Sequence, residues 1–220
     1  MVTLKWSLVF DKMSSLLHGC AVTMEISILT LIFGTVLGVV LALMRDSRVK
    51  IVARIAQLYI WIWRGTPLMI QAFLIYFGLP NLGVTFSAMT AGVLSMSLNT
   101  GAYIAEIVRS GIMSIDQGQF EAGRSLGFNY VQTMRLIILP QAFKNVLPAL
   151  ANEFITLLKE TSISGYIAIP DLTKGGDIIR SQTYDAFLPL FGVAVIYLVL
   201  VMILTAGVHK LETRLRTNER

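Results

Sequence analysis

EAGRSLGFNYVQTMRLIILP, residues 121–140, is a polar and charged stretch that lies between long apolar runs. Gly127 stands where a short helix over about 116–126 would have to stop. Glycine adopts the left-handed backbone conformation found at helix C-termini without steric cost. The sequence therefore predicts a compact helical segment here, inside a polar loop that spans 110–136.

The rest of the chain is strongly apolar. Hydrophobic residues occupy 55% of the 220 positions, charged residues only 14%, and the mean hydropathy is +0.70. A soluble domain of this size would hardly stay in solution with that composition. Crossing a bilayer takes roughly 20 apolar residues. We interpret four runs as transmembrane helices: 19–44, 55–79, 88–108 and 187–208.

Basic residues set the expected orientation. Twelve of the eighteen Lys and Arg follow the first span, follow the third span or close the chain, so the positive-inside rule places these regions in the cytoplasm. They are Arg45, Arg48, Lys50, Arg54, Arg109, Arg124, Arg135, Lys144, Lys210, Arg214, Arg216 and Arg220. The N-terminus is then outside. There, the pattern of residues 1–18 predicts an amphipathic interfacial segment with Trp6 as an anchor, and a disordered terminus is the alternative. This topology accounts for the pI of about 9.5 without any nucleic-acid partner.

A further crossing must lie between the polar loop and the last span, because the loop and the basic tail, 211–220, are both placed inside. The candidate is 137–158, although Lys144 and Glu153 interrupt it. A helix so interrupted persists in a membrane where its polar side faces protein or a watery cavity. We therefore predict an all-α polytopic membrane protein with five transmembrane helices in the domain 19–210. The fourth helix lines the translocation path.

Three motifs carry a family resemblance that extends from about residue 19 to the tail. Residues 121–140 have the spacing E-A-A-x3-G-x9-I-x-L-P, with Gly123 where alanine is usual. Residues 64–71 fit R-G-T-P-L-x2-Q, and residues 152–162 fit N-E-F-I-x-L-x-K-x-T-S. The chain resembles the permease subunits of ABC amino acid importers, in particular the branch that takes up polar amino acids.

That resemblance implies the importer-type ABC permease fold, a location in the plasma membrane of a prokaryote, and no ATPase site in this chain. It implies a second permease chain, identical or different, and two ATP-binding subunits that hold ATP and Mg. An extracytoplasmic amino-acid-binding protein would deliver the substrate. The polar loop would be the coupling loop, with the ATPase docked on a helix over 116–127. The coupling residues would be Glu121, Ala122, Gly123, Arg124 and Gly127.

Glu153 is the strongest candidate for a substrate contact. A carboxylate inside a membrane span costs free energy unless it is paired or hydrated, so a functional site is the default hypothesis. It would meet the ammonium or guanidinium of a basic amino acid such as arginine, lysine or histidine. A structural ion pair is the alternative. Lys159, Thr161 and Ser162 continue from it toward the outer mouth. An exposed loop to residue 186 is expected there, because the segment contains Pro170, Gly175 and Gly176 among mixed charges.

Polar residues of the second and third spans complete the candidate path. Asn99, Tyr103 and Glu106 share one helix face at i, i+4 and i+7. Asn99 and Tyr103 either line the path or bond neighbouring helices, whereas Glu106 is expected to pair with Arg109 at the membrane edge. Arg64 follows a cluster of aromatic residues. It is either an interfacial anchor or a contact to the substrate carboxylate or a gate.

Small residues predict two local features. Gly34 and Gly38 form a G-x3-G stripe, with Ala42 one turn further on, that lets another helix of the same chain approach closely. Thr66 and Pro67 fit the N-cap and first position of a helix that restarts within the second span.

The sequence lacks the common motifs for catalysis, nucleotide binding and metal binding. It contains no G-x4-G-K-[ST] phosphate loop, no H-E-x2-H, no C-x2-C and no nucleophile elbow. His18 and His209 are too far apart in sequence to suggest a metal site, so no cofactor is expected on this chain. The alternative function is a secondary transporter or channel with Glu153 as a proton-coupling carboxylate. Such transporters usually contain inverted repeats, and none is apparent here.

Overall fold

The computed structural model describes residues 11–217, with side chains described to residue 215. This part of the chain is helical and contains no strand. The α-helices are α1 (Met13–Arg45), α2 (Lys50–Gly65), α3 (Leu68–Phe73), α4 (Ala88–Met113), α5 (Gln117–Ser125), α6 (Tyr130–Thr133), α7 (Leu139–Glu160), α8 (Leu172–Thr183) and α9 (Phe187–Thr217). Turns of π-helix cover Leu74–Gly78 and Met134–Ile138, and 3-10 turns cover Leu79–Leu82 and Thr161–Ile167. The interfacial segment predicted around Trp6 lies mostly outside the described residues.

Two helices of the described chain are long and apolar enough to cross a membrane on their own, α1 and α9. A third span results if the bent pair formed by α2 and Leu68–Leu82 is counted as one. The five predicted spans all fall on helices, but α4 and α7 do not pass the same test of length and apolarity. Length and composition therefore establish two to three candidate spans in a membrane-embedded, all-helical chain.

The second predicted span, 55–79, is interrupted between Gly65 and Leu68, in agreement with the helix restart predicted from Thr66 and Pro67. The restart comes one residue later than predicted, because Pro67, with φ −64° and ψ 134°, is the N-cap. The assignment of Thr66 as the N-cap was therefore wrong. Its hydroxyl instead accepts a hydrogen bond from Gln71 Nε2 at 2.7 Å, which links the third and last positions of the R-G-T-P-L-x2-Q motif.

The chain divides into two compact units. The first unit contains the chain up to Ile32, Thr66–Ser97 and Phe154–Ala206. Its core consists of two apolar clusters, one around Leu16, Leu172, Ile179, Leu188 and Val193 and one around Val22, Ile26, Met96, Ile167 and Ile169. The second unit contains Phe33–Gly65, Leu98–Glu153 and the residues from Gly207 onward. Its core clusters are formed by Leu41, Ala56, Ile60, Ala102 and Ala105 and by Ile115, Ile138 and Ala142.

In the second unit, α1 packs closely against α4. A Cβ atom added to Gly34 would lie 2.9 Å from Thr100 Cγ2, and one added to Gly38 would lie 2.6 Å from Ile104 Cγ2. The predicted packing of the glycine stripe within the subunit is confirmed. The two contacts are four residues apart in both helices and follow the same order, since Gly34 meets Thr100 and Gly38 meets Ile104. The helices α1 and α4 are therefore parallel.

The same unit places α7 antiparallel to α4. Asn145 Nδ2 donates to Ser114 Oγ at 2.9 Å. Gly111, in the last turn of α4, packs against Val146, whereas Ile115, four residues later, packs with Ala142, four residues earlier than Val146. The helices therefore run in opposite directions.

In the first unit, the segment expected as an exposed loop to residue 186 is largely helical. Asp171 is fully buried and caps α8 by accepting hydrogen bonds from the backbone N–H groups of Thr173 and Lys174. Leu172 N–H donates to Thr23 Oγ1 at 3.1 Å, which ties the start of α8 to α1. Gly176 is buried against Val193 of α9. The glycines of this segment permit close helix packing and do not mark a loop.

Candidate functional site

The polar stretch that resembles a coupling loop contains the predicted short helix. α5 spans Gln117–Ser125, and the side chain of Asp116 caps it by accepting from Gly118 N at 2.6 Å. Gly127 follows with φ +82°, as predicted. Phe128 N donates to Gly123 O at 3.0 Å, and Gly127 N donates to Arg124 O at 2.9 Å. These two bonds are the Schellman termination, which needs a left-handed residue such as glycine.

One side of α5 is fixed against the following segment. Gly123 is buried, and a Cβ atom there would lie 2.8 Å from both Cγ2 and Oγ1 of Thr133. Thr133 ends α6, whose first turn is held by a capping box between Asn129 and Gln132. The departure from alanine at Gly123 therefore has a steric reason in this chain.

The other side of α5 is exposed, and it carries Glu121, Ala122 and Arg124. Large apolar side chains that the sequence reasoning did not single out are exposed beside it. Leu126 is 71% exposed, Tyr130 52% and Val131 69%. Apolar residues inside a polar loop were the signal that could have identified them. The coupling segment thus presents a mixed charged and apolar surface, of the kind that another protein can cover.

A cavity of about 510 Å³ in the second unit brings together part of the predicted substrate site. Arg64, Tyr103, Glu106 and Glu153 all line it. The guanidinium of Arg64 lies over the Tyr103 ring, with its carbon 5.1 Å from the ring centroid. Ser110, Ser114 and Asn145 add hydroxyl and amide groups to the lining. The cavity therefore combines a guanidinium with two carboxylates and several neutral polar groups.

Glu106 forms an ion pair with two arginines in this region. Its Oε1 lies 2.6 Å from Arg45 Nη1 and 3.3 Å from Arg64 Nη1. The expected pairing with Arg109 is therefore not the main contact, and Arg109 adds only a more distant electrostatic attraction. Sequence spacing favours partners one helical turn away, whereas Arg45 precedes Glu106 by 61 residues.

Asn99 is placed differently from Tyr103. It is buried, and its Nδ2 donates to the backbone oxygen of Trp63 at 3.0 Å. Tyr59 likewise donates through its hydroxyl to Leu98 O at 2.8 Å. Asn99 and Tyr59 thus bond α4 to α2, which is the interhelical alternative considered for Asn99.

The remaining predicted substrate residues belong to the first unit. Lys159 is exposed, Ser162 is half-buried and Thr161 is fully buried. Thr161 Oγ1 donates to Leu158 O at 2.8 Å at the end of α7. Their assignment to a substrate path remains a prediction. Among the described residues, no group of three or more His, Cys, Asp or Glu side chains is placed to hold a metal ion.

Comparison with known proteins gives a family match over residues 34–217, to the family of binding-protein-dependent transport system inner membrane components. The chain belongs to this family. The match includes the coupling segment and every predicted substrate residue. A secondary transporter or channel, the alternative considered for Glu153, is not a member of such a family.

Three relatives that match nearly the whole of this permease are 40–42% identical to it. The arginine transport system permease protein ArtQ of Bacillus subtilis is 40% identical over 99% of this chain and 100% of its own. The probable glutamine ABC transporter permease protein GlnM of the same organism is 42% identical over 95% of this chain and 97% of its own. A putative glutamine transport system permease protein GlnP of Rickettsia bellii is 40% identical over 93% of this chain and 94% of its own.

Solved structures support the same fold. A crystal structure of an amino acid ABC transporter with histidines matches with a TM-score of 0.94 and 41% identity, over 97% of this chain and 100% of that chain. An inward-facing MetNI methionine ABC transporter matches with a TM-score of 0.75 at 23% identity, over 92% of this chain and 97% of that chain. The permease therefore has the ABC importer permease fold.

Proposed function

We propose that this chain is the permease subunit of an ATP-driven importer for a polar amino acid with a basic side chain, and that a separate subunit hydrolyses the ATP. The observation that carries the proposal is α5, an exposed nine-residue helix capped at both ends within a polar loop. Caps at both ends satisfy the backbone groups of the helix termini, so α5 stays folded while its outer face remains exposed. Glu121 and Arg124 would contact the ATPase, while Gly123 holds the helix against the permease.

The proposed topology has five spans, with the N-terminus outside and the C-terminus inside. The helix directions in the second unit support it. Alternate spans of a polytopic protein run in the same direction, and α1 and α4 are parallel while α7 opposes α4. The bent segment formed by α2 and Leu68–Leu82 would supply the intervening crossing.

The proposed substrate site is the cavity that Glu153 shares with Arg64, Tyr103 and Glu106. An amino acid with a basic side chain carries one carboxylate and two cationic groups. Arg64 would bind the carboxylate, and Glu153 would bind the cationic side chain. The relatives named for arginine and glutamine transport, and the transporter structure solved with histidines, agree with a polar substrate. We further propose Lys159, Thr161 and Ser162 as contacts nearer the outer mouth.

The proposed partners are a second permease chain, the ATP-binding subunit and an external amino-acid-binding protein. For the binding protein, α8 offers an exposed charged surface. Asp177 accepts from Lys174 Nζ at 3.3 Å and from Arg180 Nε at 2.9 Å. The hydrogen bond from Arg180, followed by that from Lys174, lowers the pKa of Asp177 below its ordinary value. This surface therefore stays charged over the physiological range.

The test is uptake by the purified transporter complex in vesicles, with ATP inside and neither a pH difference nor a membrane potential. Uptake should depend on ATP alone. Glu153→Gln should weaken the apparent substrate affinity by roughly one to two decades, because a charge-assisted hydrogen bond is worth about 1.5–3 kcal/mol. Glu25→Gln is the control, since it removes an exposed carboxylate of α1 that does not line the cavity. Uptake that needs a proton gradient, or unchanged affinity in Glu153→Gln, would overturn the proposal.

A further inference from the structure

A second cavity in the same unit, of about 600 Å³, is lined by basic residues. Arg45, Arg54 and Arg64 contribute three guanidinium groups, and Glu106 contributes the one carboxylate. It lies between the end of α1, one face of α2 and α4, and it shares Arg64, Tyr103 and Glu106 with the cavity described above, whereas Glu153 does not line it. The cavity is therefore cationic, in contrast to the one that contains both Glu106 and Glu153.

The positive charge of this cavity is only partly compensated. The same oxygen of Glu106, Oε1, lies 2.6 Å from Arg45 Nη1 and 3.3 Å from Arg64 Nη1, so one carboxylate compensates two guanidinium groups. Arg54 is exposed, and it forms no ion pair with any side chain described between residues 11 and 215. Arginine donors in a fixed fork match the oxygens of a phosphate group, so an anion of that kind fits this site.

The cavity opens beside apolar side chains. Leu58 and Trp61 line it and are 56% and 74% exposed, and Ile55 and Ile62 continue the same exposed surface of α2. A soluble anion would gain nothing from these side chains. A molecule with a phosphate group and hydrocarbon chains would use both features, since tryptophan and arginine are favourable partners at a membrane interface.

We propose that this cavity binds the headgroup of an anionic phospholipid. Arg54, together with Arg45, binds the phosphate oxygens, and the acyl chains pass over Leu58 and Trp61. The proposed orientation places this end of α1 and α2 at the cytoplasmic leaflet, where anionic lipids attract basic residues. The inference rests on the proposed function only for that orientation. Lipid binding itself needs neither ATP nor an amino acid.

The experiment is native mass spectrometry of the permease, co-purified with its ATPase, after equilibration with mixed phosphatidylglycerol and phosphatidylcholine. The wild type should retain phosphatidylglycerol in preference to phosphatidylcholine. Arg54→Gln should reduce that retention about fivefold, the effect of one basic residue near an anionic surface. The matched control is Arg48→Gln, which removes an equal charge from an exposed residue outside the cavity lining and should leave the retention unchanged.

A competition with inorganic phosphate distinguishes the two sources of the phosphate group. Phosphatidylglycerol should stay bound when inorganic phosphate is added, because the apolar contacts are available only to the lipid. Displacement by inorganic phosphate would assign the site to a soluble anion and overturn the lipid assignment. Equal retention of the two lipids, or equal loss in Arg48→Gln and Arg54→Gln, would also overturn it. None of these results affects the uptake test, so the two proposals fail separately.

Discussion

Replacing Gly123 with alanine restores the residue that the coupling motif usually carries, yet we expect it to destabilise this chain. The new Cβ would lie 2.8 Å from Cγ2 and Oγ1 of Thr133 and 3.2 Å from Cδ1 of Ile137. Thr133 is 2% exposed, and its hydroxyl donates to Asn129 O at 3.0 Å, so it has little freedom to move. Alanine gains about 0.5–1 kcal/mol over glycine in a helix, whereas overpacking costs about 1–3 kcal/mol. The expected net loss is roughly 1 kcal/mol.

A second substitution tests the cause of that loss. Thr133→Ala removes both contacting atoms, so Gly123→Ala should become neutral or stabilising in that background. The measurement is the apparent melting temperature of the purified permease for both single variants and the double variant. Ala122→Gly, at an exposed position of the same helix, is the control that reports helix propensity without packing. The steric explanation is refuted if Gly123→Ala raises the melting temperature in the wild-type background, or if Thr133→Ala leaves its effect unchanged.

Three further predictions concern coupling, topology and the shared ion pair. Glu121→Lys or Gly127→Pro should leave the permease in the membrane but uncouple uptake from ATP hydrolysis or release the ATPase, and wild-type uptake in both would contradict docking at α5. A reporter that is active only outside the cytoplasm should work after Lys174 and fail after Gly127 or Arg220, and activity after Gly127 would reverse the orientation. Glu106→Gln should lower the apparent melting temperature, because two arginines then face a neutral amide. The expected loss in the free energy of unfolding is about 1–3 kcal/mol. An unchanged melting temperature would show that this pair is too well solvated to matter.

The coupling segment was predictable from sequence because its determinants are local. Asp116 and Gly127 mark the two ends of α5, and the observed helix, Gln117–Ser125, lies between them. Capping depends on residues within one or two turns, so a short stretch of sequence contains the necessary information. The resemblance to the permease family added the expected role of this helix.

The cluster of Arg45, Arg64 and Glu106 was not predictable, because its members come from three helices distant in sequence. Spacing along one helix suggested Arg109 as the partner, but the geometry of helix packing decided the contact. Similarly, Gly176 suggested a loop, although it lies inside α8 where a side chain would collide with Val193. A glycine in sequence signals a missing side chain and does not say whether a turn or a neighbouring helix requires it.

The close packing of α1 on α4 at Gly38 has a consequence for how this chain tolerates mutation. Lipid tails are as apolar as leucine, so helices in a bilayer associate through shape more than through hydrophobicity. Exposed residues of α9, such as Leu198 and Met202, should therefore exchange freely among apolar types. A single added methyl at Gly38 has no room beside Ile104. In this permease the smallest side chains, and not the largest, should be the least replaceable.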